Sequence, residues 1–378
     1  MDLNLTEEQI MLRDSAKEFL SVECPRTLVR DMEASESGHN RELWGKMAEL
    51  GWMALVLPED YGGIGMTFQD MSIILEEMGA YLLPGPYFST VVLCGQAIRD
   101  FGSDDQKAEY LNQIAEGEVV MALAMTETNG SYDINFTEMT FRHDGGEFIL
   151  NGTKMFVVDG QSADYFLVSA CSGVDDGESG VATAFFIVNA NAPGIVTTPL
   201  DIMGIDKQSR VNFDNVRVPQ NRLVGEIGFG HEIAERLIIW GGIGKCLEAI
   251  GGAQIAMDMA VDYVKRRPAF GKRVGNFQSI QHHCANMLKD LETSRILAYQ
   301  AAWLISEGRY DEPDIYIAKA WINGAYRRIT TLAHQCHGGI STIKEMDLHL
   351  YYKKAMINES LFGDTRFHWA RVSRYIDI

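Results

Sequence analysis

Apolar residues recur every three or four positions along the first third of the chain. In "LTEEQIMLRDSAKEFL" (5–20), Leu12, Ala16, Phe19 and Leu20 fall on one helical face. Thr6 with Gln9 three residues on forms a capping box at the start of that helix. "ELWGKMAELGWMAL" and "FQDMSIILEEMGAYL" repeat the helical period, and "LPEDYGGIG" and "LLPGPY" read as loops from their Pro and Gly content. The period then changes. "EVVMALAMTE", "GEFILNGTKMFVVDG", "DYFLVSA", "ATAFFIVNA", "GIVTTPL" and "SRVNFDNVRVP" are short β-like runs separated by Gly, Asn and Asp. Helical periodicity returns for the rest of the chain in four or five long segments.

Helices, then strands, then helices in blocks do not build the alternating parallel sheet of an α/β fold. The expectation is α+β: an N-terminal helical domain (1–118), a middle β-sandwich or barrel domain (119–228) and a C-terminal four-helix bundle (229–378). Within the middle domain, Asn151-Gly152 reads as the turn of a hairpin.

The 378 residues are 46% hydrophobic and 22% charged, a globular mix with a large buried core. A net charge of −19 argues against a nucleic-acid partner, whose phosphates require clustered Lys and Arg. The opening "MDLNLTEEQI" is acidic and polar, unlike a signal peptide. The most apolar stretch, 237–261, carries Lys245, Glu248, Asp258 and five glycines, so it reads as a core helix and no membrane span is expected. The six cysteines contain no C-x-x-C pair and read as reduced core thiols of a cytoplasmic protein. No G-x-G-x-x-G, P-loop or G-x-S-x-G pattern occurs. "HQCH" (334–337) has no second cluster to complete a metal site, so no metal is expected.

Four segments, in order and over nearly the whole length, resemble the flavin-dependent acyl-CoA dehydrogenases. "ALAMTETNGSYD" (122–133) resembles the family's Thr-Glu-Pro-Gly-Ala-Gly-Ser-Asp segment. The resemblance places Met125 and Thr126 against the flavin ring and Ser131 at the pyrophosphate, with Tyr132 where a Ser stands in the family. "LNGTKMFVVDG" (150–160) resembles Asn-Gly-x-Lys-x-Trp-Ile-Thr, with Phe156 for the stacking Trp and Val158 for the Thr. "RRPAFGKRVGNFQSIQ" (266–281) is similar to Arg-x-x-Phe-Gly-x-x-Ile-x-x-Phe-Gln. There the resemblance implies that Arg267, Phe270 and Gln278 reach the FAD of a neighbouring subunit, and a guanidinium fork suits phosphate. "HQCHGGIS" (334–341) resembles Gln-x-x-Gly-Gly, which places Gln335, Gly338 and Gly339 at the diphosphate.

The resemblance implies FAD as cofactor and α,β-dehydrogenation of an acyl-CoA. Electrons would leave to electron-transfer flavoprotein, and the assembly would be a homotetramer or an α2β2 heterotetramer. A carboxylate must take the α-proton. Counting from "KKA" (353–355), the family's usual C-terminal Glu is Phe362, and Glu359 and Asp364 are weaker substitutes. In members such as isovaleryl-CoA dehydrogenase the Glu opens the long helix, and Glu235-Arg236-Leu237 resembles that site. Glu235 is therefore the expected base, with Arg236, Trp240 and the backbone N–H of Phe362 at the substrate. Two other readings stand beside this one: a non-catalytic or half-site subunit of a heterotetramer, and an acyl-CoA oxidase.

Overall fold

The computed structural model describes residues 5–173 and 182–376. Six α-helices form the N-terminal part: α1 (Glu7–Glu23), α2 (Arg26–Ala34), α3 (Arg41–Glu49), α4 (Phe68–Tyr81), α5 (Gln96–Phe101) and α6 (Asp104–Ala115). The capping box at Thr6 and Gln9 is present, with both reciprocal hydrogen bonds made. Between α4 and α5 the chain winds as a π-helix, Phe88–Gly95, buried throughout. Such wide turns are rare and cluster at functional sites.

Among the described residues eight strands follow: β1 (Met121–Ala124), β2 (Thr140–Asp144), β3 (Glu147–Val158), β4 (Tyr165–Cys171), β5 (Thr183–Asn189), β6 (Ile195–Pro199), β7 (Gln208–Pro219) and β8 (Leu223–Val224). They make one mixed sheet in the order β6-β7-β3-β2-β4-β5-β8, with β1 parallel to β4. Asn151-Gly152 is not the hairpin turn. It lies inside β3 where the register against β7 slips. The β2–β3 turn is Gly145-Gly146, both at positive φ, the backbone a tight two-residue turn requires.

The C-terminal part begins with α7 (Gly230–Arg266), whose middle is wholly buried. A small ribbon, β9 (Pro268–Ala269) and β10 (Lys272–Arg273), leads to α8 (Gln278–Ser306), α9 (Pro313–His337), α10 (Leu348–Ser360) and α11 (Thr365–Val372). Helices from both ends of the chain share one core, from Leu75 to Leu237, Leu291 and Ile322, while the sheet has its own around Phe148, Phe166 and Phe186. Helices α4 and α7 touch through their backbones. A Cβ at Gly79 would overlap the Glu248 carbonyl, and one at Gly251 the Glu76 carbonyl. Among the described residues no helix is long and apolar enough to cross a membrane.

Candidate active site

The sheet, the π-helix and the C-terminus of α10 meet around a cavity of about 320 Å3. Met125, Thr126, Phe156 and Val158 from the sheet side line it, as do Ser89 and Leu93 from the π-helix and Ile357, Leu361 and Phe362 from the C-terminal side. Four of the residues expected at a flavin ring are thus brought together with Phe362. Phe156 sits at φ 56°, and its ring is half exposed. An apolar wall with an aromatic face suits a planar heterocycle.

The Leu361–Asp364 loop is fixed from several sides. Phe362 takes φ 57°, a left-handed conformation unfavourable for a side chain of this size. His368 Nε2–H donates to the Phe362 carbonyl at 2.8 Å. Lys319 donates to the Asn358 carbonyl at 2.8 Å, and Asn323 to the Glu359 carbonyl at 3.3 Å. Asp364 caps α11 by accepting from the Phe367 amide at 2.7 Å. Tyr132 donates to the Ser360 carbonyl at 2.7 Å, tying the sheet domain to the end of α10 beside the cavity. Burial, reinforced by the Lys319 charge, pushes the His368 imidazole down to about 3, so it holds the loop as a neutral ring.

Other expected residues lie elsewhere. Glu235 does not line the cavity; Arg371 binds its carboxylate with both guanidinium nitrogens, Nη2 at 2.6 Å from Oε1. The position on α7 that meets Phe362 is Gly241, where a Cβ would overlap the ring. Glu235 is six residues earlier, about 9 Å back along the axis at 1.5 Å per residue. Arg236 is likewise absent from the cavity wall, its guanidinium carbon 3.4 Å from the centre of the Tyr310 ring. Trp240 is fully buried in the helical core. Glu359 pairs with Arg327 at 3.1 Å. Ser131 closes a small turn, accepting from the Asp133 amide at 3.0 Å.

A second cluster lies apart from the cavity. Arg267 lines a groove of about 530 Å3 with Tyr263, His337 and Met346. Gln335, Gly338 and Gly339 are exposed at the end of α9, and a Cβ on either glycine would meet nothing within 4 Å. Gln278 is exposed at the start of α8, and Phe270 is 94% exposed at the tip of the ribbon. Among the described residues no hydrogen bond or ion pair occupies the side chain of Arg267, Gln278 or Gln335, while the Arg267 backbone is bonded to Tyr263 and Val274. A free guanidinium, two free amides and open glycine backbone are the donors a diphosphate needs. The residues therefore fit FAD, divided between two places on one chain. Among the described residues no group of three His, Cys, Asp or Glu side chains could hold a metal ion. His337 instead bonds the Ala333 carbonyl at 2.8 Å and stacks on Tyr263.

Behind the cavity lies a buried charged group that sequence reasoning missed. Ser89 Oγ–H donates to the Asp159 carboxylate. Lys354 holds Asp206 at 2.7 Å and Glu248 at 3.4 Å, and Lys245 pairs with Glu248 at 2.9 Å. Asp159 was legible only as the residue following "FVV"; its partners lie far away in the chain. Burial pushes its carboxyl up to about 6, with Asp206 adding to the shift and Ser89, Lys245 and Lys354 opposing it. A carboxyl raised above its unfolded value favours the folded state only while protonated. Its cost is absent below the ordinary carboxylate range and complete above about pH 6. Asp206 runs the other way: despite burial, Lys354 and Lys245 hold it low, so its contribution is lost on acidification. Asp159→Asn is therefore expected to stabilise the protein at pH 8 by on the order of 2 kcal/mol. The gain should shrink towards pH 5 in paired denaturant titrations; an equal effect at both pH values contradicts it.

Comparison with known proteins agrees with the geometry. Family models for the acyl-CoA dehydrogenase N-terminal, middle and C-terminal domains match residues 6–118, 122–216 and 228–376. The chain is 32% identical to a short-chain specific acyl-CoA dehydrogenase of Megasphaera elsdenii, over 96% of each sequence. It is 30% identical to an acryloyl-CoA reductase (NADH) of Anaerotignum propionicum, over 100% of this chain and 96% of the relative. Among solved structures, butyryl-CoA dehydrogenase from Megasphaera elsdenii superposes with a TM-score of 0.91 at 30% identity, covering 100% of both chains. A structure described as the electron transferring flavoprotein of Acidaminococcus fermentans matches with a TM-score of 0.92 at 31% identity, over 100% of this chain and 99% of that one. With three domain models in sequence order, full-length relatives and a donor set that fits the cofactor, this chain belongs to the acyl-CoA dehydrogenase family, FAD-dependent oxidoreductases acting on acyl-CoA.

Proposed function

We propose that the 320 Å3 cavity is where the α–β bond of an acyl-CoA is oxidised, with the acyl chain between the sheet wall and the π-helix. The observation that carries this is the meeting of Met125, Thr126, Phe156 and Val158 with Phe362 around one space. When bound, FAD supplies the acceptor for the β-hydride. The chain's own groups bind and orient the thioester, while no carboxylate among the described residues lining the cavity is placed to take the α-proton. Phe156 offers a stacking face, Leu93, Leu123, Ile202 and Ile357 exclude water, and the Phe362 amide makes no hydrogen bond among the described residues. That amide is the donor for the thioester oxygen, where charge grows as the α-proton leaves.

Arg267, Gln278, Gln335, Gly338 and Gly339 would hold the diphosphate of an FAD whose ring lies in another copy's cavity, in a homotetramer. Phe270 would pack at the adenosine end, and Ser131 would stand beside the pyrophosphate. An electron-transfer flavoprotein takes the electrons, in a cytoplasm where all six thiols stay free.

A second reading is favoured by one feature: among the described residues, no carboxylate lines the cavity. On that reading the chain is the half-site subunit of an α2β2 assembly, and a partner performs proton transfer. One experiment separates the two: purify the chain alone and titrate it anaerobically with straight, branched and cyclic acyl-CoAs. Stoichiometric FAD and bleaching of its absorbance support the first reading; FAD retained only with a co-expressed second chain supports the other.

Glu235→Gln tests the displaced carboxylate. The variant is expected to bleach within about threefold of the parent. It should also lose about 2 kcal/mol of stability, because Arg371 is left half-buried without its partner. A loss of bleaching beyond about 100-fold, the scale of a missing general base, would return the proton to Glu235.

A further inference from the structure

One polar pair in the cavity wall has no part in the chemistry described above. Ser89 lines the cavity from the π-helix and is 1% exposed; Asp159 behind it is 4% exposed. The only side-chain hydrogen bond to the Asp159 carboxylate among the described residues comes from Ser89. The nearby lysines are engaged elsewhere. Lys354 holds Asp206 and Glu248, while Lys245 holds Glu248 and lies 3.6 Å from the centre of the Phe88 ring. The Asp159 backbone is pinned too, its amide bonded to the Lys207 carbonyl at 3.0 Å and its carbonyl to Ser162 Oγ at 3.1 Å.

This pinning fixes the polarity of the wall. A serine hydroxyl has one proton, and Asp159 holds it. What Ser89 has left for the cavity is lone pairs. Donation to a carboxylate makes the same oxygen a better acceptor. An alkyl chain lying against it leaves the acceptor unsatisfied, and a carbonyl presents only a second acceptor. A hydroxyl supplies the missing proton. Gln208, another buried polar side chain of the wall, carries both donor and acceptor and imposes no such choice.

We propose that Ser89, oriented by Asp159, selects acyl-CoA substrates whose acyl chain carries a hydroxyl, which donates its proton to Ser89 Oγ. The proposal rests on the reading that this cavity receives the acyl chain, and it narrows the substrate class of that site.

The test uses the FAD-loaded protein and hexanoyl-CoA. The comparison ligands are hexanoyl thioesters with a hydroxyl or a keto group at carbon four or carbon five. Dissociation constants come from calorimetry, and flavin perturbation is recorded alongside. At one of the two positions the hydroxyl ligand is expected to bind about tenfold more tightly than hexanoyl-CoA, the scale of one well-placed hydrogen bond. The keto ligand should gain nothing. Ser89→Ala should bring the hydroxyl-to-alkyl ratio to near one, and Ser89→Thr should keep it. Ser89→Cys, a weak acceptor of similar size, replaces Ser89→Ala if that variant does not fold. Each ratio is taken within one variant, so loss of stability alone does not move it. A parent ratio within twofold at both positions, or a ratio retained in Ser89→Ala or Ser89→Cys, overturns the proposal. If hexanoyl-CoA perturbs the flavin but no hydroxyl preference appears, only this inference falls. If no thioester binds or perturbs the flavin, the acyl-CoA reading falls and this inference with it.

Discussion

Replacing Phe362 with glutamate is expected to raise the rate of flavin bleaching by acyl-CoA by about 100-fold or more, the contribution of a well-placed general base. The position lines the cavity, and no carboxylate does so among the described residues. Glutamate fits the volume the ring leaves. The ring lies against Gly241 and 5.9 Å from Phe88, so the shorter side chain gains room. The backbone needs no rearrangement, since position 362 already holds φ 57° with its carbonyl bound by His368. Burial will raise the new carboxyl above its ordinary value. The gain should therefore appear as a new rising limb in the pH–rate profile, since only the ionised form takes a proton. A variant that folds, binds FAD and bleaches no faster than the parent would show that the α-carbon does not reach position 362.

The second large effect is on stability. Lys354→Met is expected to lower the free energy of unfolding by about 3–5 kcal/mol, the cost of stranding a buried charge. Its ammonium is held by Asp206 at 2.7 and 2.8 Å and by Glu248 at 3.4 Å, and its side chain is 4% exposed. Burial favours the neutral amine, yet the two carboxylates keep it protonated and raise its pKa. Adding Asp206→Asn should recover part of the loss, because the double variant leaves fewer orphaned charges. Denaturant midpoints at pH 7 decide it; a loss under about 1 kcal/mol would mean that water reaches the cluster.

Local signals carried the element types well. The capping box at Thr6 and Gln9, the strand runs from Met121 to Val224 and the buried character of α7 follow from periodicity and caps that lie within a few residues of each other. Phe362, singled out by the count from "KKA", lines the cavity. Glu235 shows where such reading ends. A glutamate opening an apolar helix has the same local pattern whether it faces a substrate or an arginine, and its arginine is 136 residues away. Asn151-Gly152 misled for a related reason: the pair suits a turn, but the register against β7 placed it in a strand. The π-helix left no trace at all, since the eight residues of "FSTVVLCG" are too few and too evenly buried to carry a helical period. With it, the Ser89–Asp159 pair was invisible, joined only by the fold across 70 positions.

The separation of the cavity from the Arg267 groove has a genetic consequence. On the reading that each FAD is shared between copies, a chain altered at Phe156 and a chain altered at Arg267 are each defective when assembled with themselves. Assembled with each other, they form one site bearing both lesions and one bearing neither. Two null alleles of this gene would then complement one another in the same cell.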